Sequence, residues 1–245
     1  MRVDILGTKV DQVTMQQALE KVEEYIKNRE HRHIITLNAE IIYRAQHEPK
    51  LKEVINAADL VTPDGAGVVW ASQKLGNPLP ERVTGIDLML EIVKEAAVKG
   101  WKIYLYGAAP GVAELAAENL KQKYKNLKIV GTQNGFIPSN EMPALLADIK
   151  AKDPDILFVA LGAPRQEYWI REHLEELNVP VSIGVGGSFD VIAGKVKRAP
   201  KIFQNMKLEW LYRLIKEPRR FGRMLALPKF ALKIMQETRK KQRSK

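Results

Sequence analysis

The chain contains no cysteine among its 245 residues, which excludes disulfide bonds, a thiol nucleophile and a thiolate metal site. It has only four histidines, and their spacing fits no metal-ligand pattern. No apolar run is long enough to span a bilayer, and no segment resembles a signal peptide. We therefore expect a cytoplasmic protein with no protein-built metal site and no cofactor.

Acidic residues are scarce at one end of the chain. The net charge is +10, yet residues 195–245 contain 17 Lys and Arg against three Asp and Glu. This segment alone has a balance of +14, which leaves −4 for residues 1–194. The sequence thus predicts a mildly acidic body, 1–194, and a basic appendage, 195–245, that meets an anionic partner.

Strand and helix patterns alternate along the body. Thr14 and Thr84 begin two helices with capping-box spacing, and 155–161 is a fully apolar strand typical of a central parallel strand. This alternation predicts an α/β fold, with a mostly parallel sheet and helices on both faces. We divide the body into a first half, about 1–99, and a second half, about 100–194.

The stretch 61–70 is where we expect the chemistry. A short apolar strand ends there, and Pro63 and Gly65 mark a tight turn into the next helix. Ligands bind at the carboxyl ends of strands in open α/β sheets, so Asp64 is placed to accept a proton from a substrate. The alternative is that Asp64 only caps the following helix.

Polar residues near this turn are further candidates. Thr36 and Asn38 end a neighbouring strand, although Asn38 also suits the N-cap of the next helix. Arg82 precedes another helix, and its planar guanidinium matches phosphate oxygens. A solvated surface arginine is the simpler interpretation of Arg82 taken singly.

Three loops of small residues follow three strands of the second half. They begin at Gly107, Gly162 and Gly186-Gly187, and together they predict a Rossmann-like nucleotide crevice. Asp190 follows the last loop and either accepts hydrogen bonds from a base or ribose or forms a local turn. Phe189 stands where a dinucleotide fingerprint needs glycine, which argues against a dinucleotide-dependent enzyme.

The pair Asp153-Pro154-Asp155 has the Asp-x-Asp form of metal-dependent sugar transferases. It precedes its strand and so belongs to the edge of the sheet away from the crevice. We interpret it as a turn.

The appendage mixes basic and large apolar residues at helical spacing, interrupted by Pro218 and Pro228. This composition favours a segment on a membrane surface, because apolar side chains enter the acyl boundary while cations bind anionic headgroups. Helices packed on the body are the second interpretation. A nucleic-acid partner is not expected, since no binding motif for it is present.

An ordered set of motifs carries a family resemblance across nearly the whole chain. The set comprises Leu37-Asn38-Ala39-Glu40, Thr62-Pro63-Asp64-Gly65, Glu81-Arg82-Val83-Thr84-Gly85, Leu161-Gly162-Ala163-Pro164-Arg165-Gln166-Glu167, Gly184-Val185-Gly186-Gly187-Ser188-Phe189-Asp190 with Gly194, Arg198-Ala199-Pro200, and Glu209-Trp210-Leu211-Tyr212-Arg213 with Pro218 and Arg220. In these motifs the sequence resembles the WecG/TagA/CpsF glycosyltransferases. Its likeness is to the TagA type, which transfers N-acetylmannosamine from its UDP sugar to undecaprenyl-diphosphate-linked N-acetylglucosamine in teichoic acid synthesis.

The resemblance implies an inverting, metal-independent transfer with Asp64 as the general base. Thr36 and Asn38 would hold the sugars or the carboxylate, the first half would face the acceptor, and the second half would bind the nucleotide. Cations at the leaving diphosphate would be Arg82 and the appendage residues Arg213, Arg220 and Arg223, with Gln166 at the same edge of the sheet.

The lipid-linked acceptor implies an enzyme that is peripheral on the inner face of the cell membrane. The alternatives are another UDP-sugar donor, such as N-acetylmannosaminuronic acid, and a non-catalytic protein that binds nucleotides or polyanions. Which hexosamine is transferred and whether the protein forms a homo-oligomer are left open.

Overall fold

The computed structural model describes residues 1–200, 202–203, 206, 209–216, 222 and 225–243. The chain begins with an antiparallel hairpin of β1 (Arg2–Ile5) and β2 (Thr8–Asp11). The Asp11 carboxylate accepts a hydrogen bond of 2.8 Å from the Val61 N–H, which joins this hairpin to the main sheet.

Six strands form one parallel sheet. They are β3 (Arg32–Leu37), β4 (Leu60–Pro63), β5 (Lys102–Gly107), β6 (Lys128–Gln133), β7 (Ile156–Ala160) and β8 (Val181–Gly184). Their order across the sheet is β4-β3-β8-β7-β5-β6. The two halves of the body therefore share one sheet, because β8 of the second half pairs with β3 of the first half.

Helices cover both faces of this sheet. One face carries α1 (Met15–Asn28), α5 (Gly85–Lys99), α6 (Val112–Lys123) and α9 (Ser188–Ile192), and the other carries α2 (Ala39–Ala45), α3 (Pro49–Ala57), α4 (Ala66–Lys74), α7 (Met142–Lys152) and α8 (Arg165–Leu177). A 3-10 turn, Ser139–Glu141, precedes α7. The predicted fold class, an α/β protein with a parallel sheet between helices, is confirmed.

Strand β7 shows why the central strands are apolar throughout. All five of its residues are buried. Side chains alternate between the two faces of a strand, so Ile156 and Phe158 pack with the α5 and α6 side, whereas Leu157 and Val159 pack with the α7 and α8 side. A strand covered on both faces leaves no position for a polar side chain in contact with water.

The predicted helix starts are capped as their sequences require. Thr14 accepts a hydrogen bond from the Gln17 N–H, and the Gln17 side chain accepts one from the Thr14 N–H, which completes a capping box. Thr84 caps α5 by accepting from the Asp87 N–H. The Asp87 carboxylate also pairs with Arg198 at 2.7 Å, which anchors the start of the appendage beside α5.

The chain reverses direction across the sheet between β5 and β7. Strand β5 leads outward to β6, whereas its neighbour β7 leads inward to β8. Gly107 ends β5 with φ +126°, and a Cβ there would lie 2.5 Å from the backbone of Ala160. Only glycine allows this approach, which brings the ends of the two strands together at the position where α/β sheets bind nucleotides.

Part of the appendage packs on the body. The described helices in this segment are α10 (Glu209–Lys216) and α11 (Ala226–Arg243). Helix α11 lies against α2 and α4 and buries Phe230 and Ile234 in their core. The prediction that Pro228 interrupts a helix is wrong. Pro228 lies in the first turn of α11, where its missing N–H would have no helical partner. Pro218 lies outside the described residues. Among the described helices, none is apolar and long enough to cross a bilayer.

Candidate active site

A cavity of about 670 Å³ opens at the carboxyl edge of the sheet. Residues that follow β3, β4, β5, β6, β7 and β8 line it, together with residues of α10 and α11. The Asp-x-Asp pair lies elsewhere, at the amino end of β7, as the sequence predicted. Asp153 there is bound by Arg29 and Lys102 at 2.6 and 2.7 Å, and hydrogen bonds from both lower its pKa.

Asp64 lies in the wall of the cavity built by the first half of the chain. Its backbone N–H donates to the Leu37 carbonyl at 2.9 Å, which holds the turn after β4 against the end of β3. The N-cap position of α4 belongs to Gly65, whose φ is +95°, and not to Asp64. The half-buried carboxylate therefore stands one residue before the N-cap, at the strand end where a substrate would approach.

Thr36 and Asn38 line the same wall, and both also have structural partners. The Thr36 hydroxyl donates to the Gly184 carbonyl at 3.2 Å, which ties β3 to β8. The Asn38 side-chain oxygen accepts from the Ile41 N–H at 3.0 Å, so Asn38 is the N-cap of α2 and a cavity residue at once. A Cβ on Gly85 would lie 2.9 Å from the Thr36 hydroxyl oxygen, so that glycine keeps the space over Thr36 open.

Arg82 lines the cavity and is paired with the appendage. Its Nη1 donates to Oε1 of Glu209 at 2.9 Å, across 127 positions of sequence. The Glu209 side chain is only 16% exposed, so the ion pair is largely shielded from water. Glu209 and its neighbour Trp210 both line the cavity, which makes α10 part of the site.

The opposite wall contains the small-residue loops of the second half. Gly162, Gly186 and Gly187 line the cavity, as does Asp190 at the start of α9. Gly107 is not among the described lining residues. Its neighbours Ala108 and Ala109 line the wall instead, because Gly107 packs closely against the backbone of Ala160 in β7.

Gln166 joins two loops of this second wall. Its side-chain oxygen accepts from the Gly162 N–H at 3.2 Å and from the Gly186 N–H at 3.0 Å, and its Nε2 donates to Glu167. Gln166 is 3% exposed and also lines the cavity. Gly184 leaves room for it, since a Cβ there would lie 2.6 Å from the Gln166 Nε2.

Comparison with known proteins shows the family of this chain. The Glycosyl transferase WecG/TagA/CpsF family matches residues 3–244. The chain is also 39% identical over 247 positions to the N-acetylglucosaminyldiphosphoundecaprenol N-acetyl-beta-D-mannosaminyltransferases of Staphylococcus aureus strains MW2, NCTC 8325 and COL. Each match covers all of this chain and 96% of the relative. The chain belongs to the WecG/TagA/CpsF glycosyltransferase family.

The structure brings most of the predicted site residues of this glycosyltransferase to one cavity. Thr36, Asn38, Asp64, Arg82, Gln166, Gly162, Gly186, Gly187 and Asp190 all line it. Of the predicted appendage arginines, Arg220 and Arg223 lie outside the described residues, and Arg213 is described only by its backbone in α10.

Sequence reasoning did not single out several residues that line the cavity of this transferase. Arg165 begins α8 and donates to the Leu161 carbonyl at 2.8 Å. Glu40, Glu209 and Trp210 also reach the cavity. Each occurs in a motif of the family, but a motif does not indicate which of its side chains face a ligand.

Carboxylates outnumber cations among the described residues of the cavity wall. The cations are Arg82 and Arg165, and the acids are Glu40, Asp64, Asp190 and Glu209. The balance of these side chains is therefore −2. A diphosphate ligand is itself strongly negative, so this part of the wall does not neutralise it.

Proposed function

We propose that this transferase moves N-acetylmannosamine from UDP-N-acetylmannosamine to undecaprenyl-diphosphate-linked N-acetylglucosamine. The observation that carries the proposal is the carboxylate of Asp64 in a cavity of about 670 Å³, facing a wall of glycine and alanine loops. The volume suits a nucleotide sugar, since ligand cavities commonly hold roughly 300–1,000 Å³. The names of the Staphylococcus aureus relatives supply the donor sugar and the acceptor.

The proposed reaction is a single displacement with inversion at the anomeric carbon. An acceptor hydroxyl oxygen attacks that carbon, the bond from the carbon to the UDP oxygen breaks, and UDP leaves with the electron pair. Asp64 accepts the proton of the hydroxyl as the new bond forms. Asn38 and Thr36, which line the wall beside Asp64, orient the sugars.

The second wall receives the UDP group in this proposal. It lies where β5 and β7 diverge, and Gly162, Gly186 and Gly187 let the ligand approach the backbone closely. The carboxylate of Asp190 accepts hydrogen bonds from the ribose or the base. These assignments follow the position of each residue in the cavity.

The appendage completes the site by supplying positive charge. The described cavity residues have a balance of −2, whereas residues 195–245 have a balance of +14. Helix α10 already reaches the cavity through Glu209 and Trp210, and it also carries Arg213. We infer that Arg213, Arg220 and Arg223, together with Arg82, stabilise the leaving diphosphate without a metal ion.

The same appendage brings the enzyme to the inner face of the membrane, where the lipid-linked acceptor resides. Trp210, Ile215, Leu225, Leu232 and Met235 are 41–62% exposed on a strongly basic segment. Exposed apolar side chains among cations favour a surface of anionic lipid.

A donor panel tests the proposed function directly. UDP release is measured with UDP-N-acetylmannosamine, UDP-N-acetylglucosamine and UDP-N-acetylmannosaminuronic acid, each with and without an undecaprenyl-diphosphate N-acetylglucosamine analogue. We expect release with the first donor and only when the acceptor is present. Acceptor-dependent release with the uronic acid donor would show that the enzyme transfers a different sugar from the one proposed. No release with any donor would favour a non-catalytic binding protein.

Two further measurements test the finer parts of the proposal. Treatment with EDTA is expected to leave the rate unchanged, and a rate restored only by added Mg²⁺ or Mn²⁺ would contradict metal independence. Truncation after 194 is expected to abolish transfer even to a soluble, short-chain acceptor, because it removes the appendage cations. A truncated enzyme with full activity on that acceptor would reduce residues 195–245 to a membrane anchor.

A further inference from the structure

Glu167 is a buried carboxylic acid beside the second wall of the cavity. It lies in the first turn of α8, is 1% exposed and belongs to the interior side of the helix. Burial raises the pKa of Glu167 to about 7, against smaller opposing effects of the Gln166 hydrogen bond, a hydrogen bond from its own backbone and the Arg44 charge. Acids are rarely placed in such an environment unless they have a specific partner.

That partner is the adjacent residue, Gln166. Oε1 of Glu167 accepts a hydrogen bond of 2.9 Å from the Gln166 Nε2. The second oxygen of Glu167 has no hydrogen-bond partner in the described part of the chain. The carboxylic acid thus makes a single hydrogen bond to a side chain, and that bond is directed at the residue that joins two cavity loops.

The orientation of the Gln166 amide decides whether those loops are joined. Its oxygen accepts from the N–H groups of Gly162 and Gly186, which follow β7 and β8. If the amide rotated by half a turn, its NH₂ group would face both N–H donors, and neither bond could form. An acceptor on the other side of the amide, such as Glu167, favours the orientation that joins the loops.

We propose that Glu167 is a positioning residue that fixes the Gln166 amide and thereby sets the spacing of the two glycine loops that receive the UDP group. Glu167 is not among the described lining residues of the cavity, so it acts through Gln166 and not by contact with the substrate. The inference rests on the proposed function for the identity of the ligand. The coupling from Glu167 to the loops depends only on the contacts of the protein.

The test compares two substitutions of similar length at one position. Glu167→Met removes the acceptor and keeps an unbranched side chain, whereas Glu167→Gln keeps an acceptor oxygen. UDP affinity is measured by calorimetry, and KM for the donor and kcat are measured in the transfer assay. We expect Met to weaken UDP binding and raise KM by about tenfold, the scale of one net hydrogen bond, with a smaller change in kcat. Glutamine is expected to restore the affinity to within about threefold of wild type.

Leu174→Ala is the matched control for loss of packing. Leu174 is buried in the same helix and has no described hydrogen bond to either loop. The control is expected to lower the melting temperature while UDP affinity and KM stay at their wild-type values. If Glu167→Met behaves in the same way as this control, Glu167 serves only the stability of the helix.

A double variant tests whether Glu167 acts through Gln166. Gln166→Met combined with Glu167→Met is expected to bind UDP no more weakly than Gln166→Met alone, because the second substitution has no amide left to orient. Additive losses would overturn the proposal. So would a Glu167→Gln variant as weak as Glu167→Met.

Amide hydrogen exchange separates this inference from the proposed function. A wild-type enzyme that does not bind UDP would contradict the proposed donor. Glu167→Met would still be expected to accelerate exchange at Gly162 and Gly186, since their N–H groups lose a fixed acceptor. Unchanged exchange at both glycines would overturn the positioning role, whatever the ligand.

Discussion

The two walls of the cavity use different chemistry. The first wall, at the ends of β3 and β4 and in the loop before α5, presents the side chains of Thr36, Asn38, Asp64 and Arg82. The second wall, after β5, β7 and β8, presents mainly glycine and alanine. Its buried polar lining residues include Ser188 and Gln166, and the Gln166 side chain holds two loops together. A reaction needs groups that exchange protons and charge, whereas a large ligand needs space close to the backbone. From this difference we propose that the first wall carries out the reaction and the second wall recognises the donor.

The largest expected effect comes from changing the reactive wall at Asp64. Asp64→Asn keeps the shape and removes the proton acceptor, so transfer should fall by about two to four powers of ten while UDP affinity stays close to wild type. The matched control is Asp153→Asn at the opposite edge of the sheet, which loses ion pairs with Arg29 and Lys102 but lies away from the cavity. An Asp64→Asn enzyme within a few-fold of wild type would remove Asp64 from the mechanism.

A smaller effect is expected from changing the recognition wall at Gly184. In Gly184→Ala, the new Cβ would lie 2.6 Å from the Gln166 Nε2 and displace the amide that joins the loops. We expect UDP affinity to fall by about tenfold or more, measured by calorimetry, with a smaller change in kcat.

Ser182→Ala is the control for Gly184→Ala on the same strand. Ser182 is buried and its hydroxyl has no described partner, so its loss should leave UDP affinity unchanged. Equal affinity in the two variants would mean that the spacing of the loops does not control recognition.

A few-fold effect is expected where the appendage meets the reactive wall. Glu209→Gln removes the charge that pairs with Arg82 and changes the balance of the described cavity side chains from −2 to −1. UDP affinity should therefore rise by about two- to fivefold, because the wall repels the diphosphate less and Arg82 becomes available to bind it. Glu237→Gln on α11, which removes a charge outside the described cavity lining, is the control. A weaker affinity in Glu209→Gln would instead make Glu209 the residue that orients Arg82.

The smallest effect on ligand binding is expected from a change at His33, which lies on the same strand as Thr36. Burial, aided by the charge of Arg171, lowers the pKa of His33 to about 3, so the folded protein holds this imidazole neutral. Above its ordinary pKa of 6.5 it contributes nothing to pH dependence. Below pH 6.5 the unfolded chain binds a proton that the folded protein does not. The free energy of unfolding therefore decreases as the pH is lowered.

Denaturant unfolding of His33→Leu and wild type at pH 6.5 and pH 5 tests this difference. The wild type is expected to lose about 2 kcal/mol more than the variant between the two values. UDP affinity at neutral pH should match wild type in the variant. Parallel losses of stability would show that His33 is protonated in the folded state.

Local sequence was sufficient for much of the fold and for many members of the site. The fully buried residues of β7, the capping box at Thr14, the N-cap at Thr84 and the glycine loops each have a pattern that covers only a few residues. Such patterns report local geometry, because hydrogen bonds at a helix start and the alternation of a strand involve near neighbours. They predicted the α/β class and the edge of the sheet where Asp64 lies.

The sequence by itself determined which residues stand at each strand end. The tertiary structure alone decided which of those residues contact one another. The order β4-β3-β8-β7-β5-β6 brings the last strand of the second half beside β3, so that Thr36 contacts Gly184. The Arg82–Glu209 pair joins residues 127 positions apart. Gln166 joins two loops only because both loops bring a backbone N–H group to its side-chain oxygen. These contacts depend on strand order and packing, which short-range sequence patterns do not encode.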